Sequence, residues 1–487
     1  MKTIYKIITP LLLCLLVLGS CKKEYLETNP SADVSGDVVF ATTQGAQVAL
    51  DGTYRDLYTF NTNHDNFGQK SYEITSDLLG EDIVIDKQGY GWFNTDYQYT
   101  SIQTATDGSR SERVWHYYYR TVNNANRIIA AIDGATGTQE EKDVIKGQAL
   151  ALRAYSYFYL INFFQQTYKG NETKPGVPLY TEPTSEGKPR GTVQEVYTQI
   201  VQDLKDAETL LTGKATGHKS HISAATAQGI MARVALQMED YATAAEYAKK
   251  ARGTIAPMSG AAYNQGFNSI ANTEWLWGME VNVEQATIYA SYFSHMDNTA
   301  NGYAGLGSYK KITKELYDQI PVTDARKAAF KAPGAAGSLP DLTILKFRKP
   351  NASSWNGDYL FLRAGEMYLI EAEASARLGN EGNAIAVLNT LIKTRNPEYN
   401  FSGTGAALLN EILLQRRIEL FGEGFRLNDI KRLHIGLNRT VGPGNHGAPS
   451  FDAIVYNLPD QSPRFLMRIP QSELNTNKSF TPNDQNP

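Results

Sequence analysis

Residues 213–220 come closest to a motif that could act on a phosphate. Gly213, Lys219 and Ser220 have the spacing of a phosphate-binding P-loop, in which backbone amides wrap the phosphate while a lysine and a hydroxyl contact it. His218, however, stands where the second glycine is required, and its side chain would obstruct that wrap. The run also follows a predicted helix, where a P-loop needs a strand. We therefore interpret it as a connection between two helices.

Metal and hydrolytic chemistry find little support in the sequence. His218 and His221 are the only close pair among the seven histidines, and no cysteine or acidic residue beside them completes a metal site. A glycosidase needs only two carboxylates about 5–10 Å apart, so a glycan-processing enzyme is kept as the least favoured alternative. Four charged residues have the pattern of an ion-paired helix terminus instead: Arg416, Glu419, Glu423 and Arg426. The sequence predicts a protein that is not an enzyme and has no metal or cofactor.

One segment has the residue types that bind a sugar. Aromatic rings can stack on the C–H faces of a sugar, while amides and carboxylates bond its hydroxyl groups. Rings and polar groups alternate over ten residues, and the candidates there are Tyr90, Trp92, Asn94, Asp96, Tyr97 and Tyr99. Further candidates in later irregular segments are Tyr292, Tyr303 and Trp355. The alternative is that these rings anchor long loops to the body of the protein.

The N-terminus has the pattern of an export signal. Its apolar stretch, Ile7–Val17, is too short to cross a bilayer, which needs about 20 apolar residues. Small residues then precede Cys21 in a run that resembles a bacterial lipobox, in which this cysteine becomes the lipid-modified first residue. We predict a lipoprotein signal peptide at 1–20 and a lipidated tether at 21–40. The alternative is an ordinary signal peptide that happens to contain Cys21.

Composition limits the remaining possibilities. Cys14 and Cys21 are the only cysteines, so the predicted mature chain cannot form an internal disulfide and must rely on core burial. The formal net charge is −4 and no basic block stands out, which argues against a nucleic-acid partner. Tyrosine occurs 29 times, which suits a wet binding surface but equally a tyrosine-rich helical core.

Apolar periodicity predicts a largely helical single domain over 41–487. The predicted helices are 41–59, 110–133, 139–166, 192–212, 221–238, 241–252, 312–320, 358–378, 381–394 and 405–422. Thr138 with Glu141, and Thr192 with Glu195, have capping-box spacing. Long irregular insertions near 60–109, 254–310 and 321–357 are the expected functional side, because loops of this length are usually functional. Trp275–Glu280 alternates like a short strand whose tryptophans belong in the core.

Two helix pairs resemble copies of one unit. Ala227–Ala251 and Ala372–Leu391 each place small residues in a first helix, then a short polar turn and an Ala-rich second helix. Small residues let paired helices approach closely, as in tetratricopeptide (TPR) repeats. The segments 110–133 and 139–166 are candidates for a further pair. Unrelated helical hairpins are the alternative.

With these landmarks placed, the sequence resembles the SusD/RagB family of outer-membrane nutrient-binding lipoproteins. The resemblance covers nearly the whole predicted mature chain and rests on a Tyr-Leu-Glu leader, the helix pairs and three runs in order. These runs are Leu362–Ala374, Arg416–Asp429 with its R-x-x-E-L and E-G-x-R elements, and Ile469–Leu474 followed by Gln485–Pro487. Gly365 stands where alanine is usual in the first run, which affects packing alone.

The resemblance implies a fold and a role. The fold is all-α dominated, with about four TPR-like pairs in a right-handed superhelical scaffold and irregular segments with a few short strands on the ligand side. The role is capture of an oligosaccharide or polysaccharide for a SusC-like TonB-dependent barrel transporter. It takes place at the outer membrane, on the cell surface, with lipid such as palmitate anchoring Cys21. A peptide ligand, or a protein-docking scaffold without a small ligand, is the alternative.

Overall fold

The computed structural model describes residues 36–60 and 63–487. The predicted signal peptide at 1–20 and the lipidation site Cys21 lie outside the described residues, as does most of the predicted tether. Its last residues include a short helix, Gly36–Val39. Within the described part of the chain, no helix is both long and apolar enough to cross a membrane.

Helices dominate the structure, as predicted. In chain order they are α1 (Gly36–Val39), α2 (Thr43–Asp56), α3 (Gln69–Leu78), α4 (Asn94–Tyr97), α5 (Arg110–Ile132), α6 (Gln139–Phe164), α7 (Val193–Leu211), α8 (Ala224–Met238), α9 (Tyr241–Arg252), α10 (Gly260–Tyr263), α11 (Tyr292–Met296), α12 (Lys314–Asp318), α13 (Ala364–Arg377), α14 (Glu381–Ile392), α15 (Gly405–Glu419), α16 (Arg426–Arg432) and α17 (Gln471–Thr476). Short 3₁₀ helices span Ala325–Ala329, Pro463–Phe465 and Pro482–Asp484.

Short strands form two-stranded antiparallel pairs between the helices. The strands are β1 (Ile83–Ile85), β2 (Pro175–Pro178), β3 (Arg190–Thr192), β4 (Trp275–Met279), β5 (Lys310–Ile312), β6 (Tyr359–Arg363), β7 (Leu437–Asn438) and β8 (Asn457–Leu458). They pair as β1 with β5, β2 with β3, β4 with β6 and β7 with β8. The strand predicted at Trp275–Glu280 is confirmed over Trp275–Met279, and both of its tryptophans are buried.

Local capping fixes where the longest helices begin. The Thr138 hydroxyl accepts the backbone N–H of Glu141 at 3.2 Å, and the Glu141 carboxylate accepts the Thr138 N–H at 2.8 Å. Thr192 and Glu195 make the same reciprocal pair at the start of α7. Each exchange satisfies amides that a helix start leaves without intrahelical partners. Both predicted capping boxes are therefore confirmed.

The TPR-like helix pairs are confirmed as packed pairs. Helix α5 packs on α6, α8 on α9 and α13 on α14, and successive pairs pack on one another through α6–α7, α7–α8 and α9–α13. Small residues permit this approach. A Cβ added at Gly147 on α6 would lie 2.8 Å from Leu211 Cγ on α7, so the close contact of these two helices needs glycine there.

Two sequence predictions of secondary structure were wrong. The predicted helix 358–378 begins at Ala364, because the apolar and aromatic run before it pairs as β6 with β4. The segment 60–109, predicted to be irregular, contains α3. All ten residues of this helix are buried, including Lys70, Glu73 and Asp77. A helix that places polar residues inside has no apolar stripe by which periodicity could detect it.

Candidate functional site

Five rings from two of the irregular insertions, 60–109 and 254–310, meet at the surface, and we call them the aromatic cluster: His64, Tyr90, Trp92, Tyr289 and Tyr303. The Tyr303 ring centre is 5.1 Å from that of Tyr90, 5.9 Å from Trp92 and 5.1 Å from Tyr289. The His64 ring is 5.4 Å from Trp92 and stacks on Tyr289 at 6.0 Å, with an angle of 9° between the planes. The structure thus brings together Tyr90, Trp92 and Tyr303 of the predicted site residues.

The cluster has a buried floor and exposed walls. Tyr303 is 7% exposed, whereas Tyr90 is 60% and Tyr289 43% exposed. Trp92 is half-buried and packs against the main hydrophobic core. Contiguous exposed apolar surface marks binding sites, whereas single exposed apolar residues do not. The arrangement offers ring faces to solvent while the floor holds them in place.

A histidine beneath the floor fixes its position. His295 stacks under Tyr303 with ring centres 5.2 Å apart, and its Nε2 donates to the His64 carbonyl at 2.9 Å. Burial, reinforced by the nearby ammonium of Lys310, lowers the pKa of His295 to about 3. The imidazole is therefore neutral near pH 7 and serves as a packing and hydrogen-bonding group.

The turn that carries Tyr90 and Trp92 depends on its two glycines. Gly89 has φ +52° and Gly91 has φ +86°, a region that residues with a Cβ rarely adopt. A Cβ at Gly89 would also lie 1.8 Å from Ser308 Oγ. Glycine is therefore required for this turn to lie flat against the segment around Ser308 and to direct the two rings outward.

An open groove of about 670 Å³ runs from Tyr289 to Trp355, the predicted site residue of the third insertion. Trp355 is half-buried, with Lys349 Nζ 5.0 Å from its ring centre. That ammonium donates to the carbonyls of Asn351 and Ala352, both at 2.7 Å. The groove is also lined by Gln265, Asn268, Asn301 and Arg348. The groove extends the aromatic cluster with amide groups suited to hydroxyl-rich ligands.

Four predicted site residues of the 90–99 run are corrected to structural roles. Asp96 is fully buried and pairs with Arg110 at 2.8 Å. Tyr97 donates to or accepts from His446 Nδ1 at 2.6 Å, and Asn94 Nδ2 donates to the Gln88 carbonyl at 2.8 Å. The Tyr99 hydroxyl donates to the Leu79 carbonyl. The side chains within and just after helix α4 face inward. Only Tyr90 and Trp92, which precede the helix, have rings at the surface.

Tyr292 is corrected in the same way. It is buried in α11, and its hydroxyl donates to the Gly422 carbonyl at 2.9 Å. His64 and Tyr289 are members of the cluster that the sequence reasoning missed. Both lie inside segments predicted to be functional insertions, and each is an aromatic residue within an irregular stretch. That signal was available, but periodicity could not select these two rings among many.

Buried ion pairs occupy the centre of the C-terminal motifs. Arg363 bonds Glu274 at 2.7 Å, Glu419 at 2.8 Å and Glu423 at 2.8 Å. Although burial opposes ionisation, the charges of Arg363 and Lys346 lower the pKa of Glu423 to about 2. The positive charge of Arg395 and Arg363 likewise lowers the pKa of Glu419 against the effect of burial, so Glu419 and Glu423 are ionised, paired and out of reach of solvent. The ion-pair interpretation of Glu419 and Glu423 is confirmed.

The P-loop-like run is a helix–helix connection, as interpreted. Lys219 Nζ donates to the carbonyls of Ile270 and Asn272 at 3.3 and 2.7 Å, and Ser223 caps α8. The nearby His221 lies 3.2 Å from one carboxylate, that of Asp51. Over residues 36–60 and 63–487, no three His, Cys, Asp or Glu side chains are grouped to hold a metal ion.

Two family profiles match the chain. One, described as "Starch-binding associating with outer membrane", matches residues 24–236, and the other, described as the SusD family, matches residues 342–487. A curated relative, SusD-like protein P2 of Formosa agariphila, is 24% identical and covers 96% of this chain and 97% of its own.

Solved structures give the same result. A SusD-like carbohydrate binding protein from Bacteroides vulgatus is 30% identical, with a TM-score of 0.81, covering 91% of this chain and 98% of its own. Surface glycan-binding protein A from Bacteroides thetaiotaomicron superposes with a TM-score of 0.70 at 18% identity, over 92% of this chain and 99% of its own. The second likeness concerns the fold alone.

Proposed function

The chain belongs to the SusD family, and on that basis we propose that it captures a glycan at the aromatic cluster and does no chemistry on it. The single observation that carries this proposal is the exposure of the Tyr90 and Tyr289 rings beside half-buried Trp92. Rings of this kind can stack on the apolar faces of sugars, which polar side chains cannot do.

The neighbouring groove supplies the second requirement of a sugar site. A glycan needs hydrogen-bond partners for its hydroxyls beside the stacking surface. Asn301 and Gln265 line the groove that starts at Tyr289, and amides both donate and accept. The groove continues from Tyr289 to Trp355, so stacking rings and amides lie on one surface.

We propose further that the protein acts at the outer membrane. Lipid on Cys21 would anchor it on the cell surface, and a SusC-like TonB-dependent barrel would receive the captured oligosaccharide. The support for this placement is the lipobox-like run before Cys21 and the family description that names the outer membrane. Copurification of the lipidated full chain with a barrel transporter from its native membrane would test it.

Native electrophoresis through gels that contain individual polysaccharides tests the glycan proposal. The wild-type protein is expected to be retarded by at least one polysaccharide, and Trp92→Ala to be retarded less. Ile435→Ala serves as a control, because Ile435 is an exposed apolar residue outside the cluster and the groove. Absence of retardation by any polysaccharide, together with binding of peptides in calorimetry, would replace the glycan with a peptide.

A further inference from the structure

A second cavity with aromatic walls lies apart from the cluster, on helix α5. Its volume is about 180 Å³, and it is enclosed by α5, the connection between β2 and β3, and the C-terminal helix α17. We call it the α5 cavity. Its lining includes three rings, Trp115, Tyr119 and Tyr180, and two carboxylates, Glu182 and Glu473.

The three rings form a continuous wall. The Trp115 and Tyr119 ring centres are 4.8 Å apart, and Tyr119 and Tyr180 meet edge to face at 5.7 Å with an angle of 82°. Their polar atoms are engaged within the protein. The Tyr119 hydroxyl donates to the Pro178 carbonyl at 2.8 Å, and the Tyr180 hydroxyl accepts the Lys188 backbone N–H at 3.1 Å. What the wall offers to the cavity is therefore ring surface, whose faces are electronegative.

The carboxylates give the cavity a negative charge, and neither of them forms an ion pair with a basic side chain of the described residues. Glu473 Oε1 accepts from Asn477 Nδ2 at 2.8 Å, and Oε2 lies 3.4 Å from Trp115 Nε1. Over residues 36–60 and 63–487, the ion pairs within 4.0 Å include neither Glu473 nor Glu182. The lining contains no lysine or arginine, and its one histidine, His116, is held 3.6 Å from Glu112.

The negative charge of Glu473 also acts on Tyr180 in the aromatic wall. Burial raises the pKa of the Tyr180 phenol, and the negative charge of Glu473 raises it further. Outside the lining, Lys188 Nζ lies 5.8 Å from the centre of the Tyr180 ring. The ammonium group of Lys188 therefore lies near this ring from outside the cavity, whereas the cavity lining includes no lysine or arginine.

Aromatic faces combined with unpaired carboxylates are the chemistry that recognises an organic cation. A neutral sugar can donate its hydroxyls to the carboxylates but gains no Coulombic attraction from their net charge, and an anion is repelled by it. An ammonium or guanidinium group instead gains cation–π attraction from the rings and Coulombic attraction from the carboxylates. We propose that the α5 cavity binds a small organic cation bearing an ammonium or guanidinium group. Such a group could come from an amino sugar or from a lysine or arginine side chain.

Calorimetric titrations with matched pairs of compounds test this proposal. Nα-acetyl-lysine amide is compared with its neutral Nε-acetylated form, and glucosamine is compared with N-acetylglucosamine. At least one cation is expected to bind, and its neutral partner to bind about tenfold more weakly or not at all. Binding by glucosamine alone identifies a sugar source, and binding by the lysine derivative alone identifies a side-chain source. Equal binding within both pairs, or no binding by either cation, would overturn the proposal.

Substitutions of the lining residues test whether the cation binds in the α5 cavity. The double substitution Glu182→Gln and Glu473→Gln is expected to weaken cation binding about tenfold, since it removes both charges and keeps the side-chain size. Tyr180→Leu is expected to weaken it, whereas Tyr180→Phe keeps the ring and is expected to bind as the wild type does. Glu186→Gln is the control, an exposed carboxylate on the same connection and outside the lining.

The sign of the charge effect gives a second, independent readout. Lys188→Gln removes a positive charge beside Tyr180 without removing a lining residue. It is expected to strengthen cation binding, which loss of folding cannot imitate. A cation that binds equally to the wild type, the double carboxylate variant and Lys188→Gln is bound elsewhere, and that result would contradict the assignment of the cavity.

Discussion

The Tyr303 hydroxyl and His64 Nδ1 are 2.5 Å apart, and this hydrogen bond joins the floor of the aromatic cluster to its wall. His64 in turn stacks on the exposed ring of Tyr289. The hydrogen bond joins residues that are 239 positions apart in the chain, so two insertions are held as one surface. The cluster is thus a connected structure, and its hydrogen bond can be tested separately from its rings.

Tyr303→Phe removes that hydrogen bond and leaves the ring. The free energy of unfolding is expected to fall by about 1 kcal/mol, the usual contribution of a buried hydrogen bond, as measured by urea denaturation. Glycan retention is expected to weaken as well, because His64 loses the contact that orients it under Tyr289. Tyr456→Phe is the matched control, since no hydrogen bond is formed by its hydroxyl within the described residues. Unchanged stability and retention in Tyr303→Phe would contradict a connecting role.

Tyr289→Ala is expected to lower glycan affinity about five- to tenfold, because the exposed ring is a stacking face. Tyr289→Phe keeps the ring and is expected to retain most of the affinity. Calorimetry with the glycan that retards the wild-type protein measures both. If the phenylalanine variant loses as much affinity as the alanine variant, the hydroxyl is the important group and the stacking account is wrong.

Asp96→Ala tests the correction of a predicted ligand residue to a structural one. Its carboxylate is buried and accepts two hydrogen bonds from Arg110, at 3.0 and 2.8 Å, while Arg110 also pairs with Asp65 at 2.7 Å. The free energy of unfolding is expected to fall by about 3 kcal/mol, because a hydrogen bond to a charged group contributes about 1.5–3 kcal/mol. Asp107→Ala, at an exposed position in the segment before α5, should leave stability unchanged. A stable Asp96→Ala protein that has lost only glycan binding would restore Asp96 to the site.

The pKa of Glu423 predicts how stability depends on pH. In the folded protein this pKa is lowered to about 2, from an ordinary value of 4.5. A lowered pKa stabilises the fold above the unfolded-state pKa, and this contribution is lost as the pH falls towards the folded-state value. The stability difference between wild type and Glu423→Gln is therefore expected to be constant above about pH 5.5 and to shrink between about pH 4.5 and 2.

Urea denaturation at a series of pH values measures that difference. Glu398→Gln is the control, because Glu398 is exposed and its replacement should give no comparable trend. If the stability difference between wild type and Glu423→Gln stays constant down to pH 3, the ion pairs of Glu423 with Arg363 and Lys346 do not lower the pKa of its carboxyl group.

Features set by neighbouring residues could be predicted from the sequence. The capping boxes at Thr138 and Thr192 need only a hydroxyl and a glutamate three residues later, and both form as predicted. The helix pairs were predictable because small residues recur at helical spacing. The strand β6 and the buried helix α3 were not, because the first depends on pairing with β4 and the second on burial from every side.

The candidate site shows the same division. The sequence identified an aromatic run, but it could not say which side of each residue faces solvent. Trp92 and Tyr90 precede α4 and reach the surface. Tyr97, at the end of α4, and Tyr99, just after it, are buried in the core. Tyr289 joins the first two only through folding, across about 200 residues of chain. Such long-range placement is not encoded in any local pattern.

The most direct test of glycan capture is calorimetric titration of an oligosaccharide into the wild-type protein and into the Trp92→Ala, Tyr289→Ala double variant. The oligosaccharide is taken from the polysaccharide that retards the wild-type protein. The account predicts saturable binding to the wild type and a loss of more than about tenfold in the double variant, which remains folded and unfolds cooperatively in urea. Equal affinity for the two proteins would contradict the account, because the glycan would then bind away from the aromatic cluster.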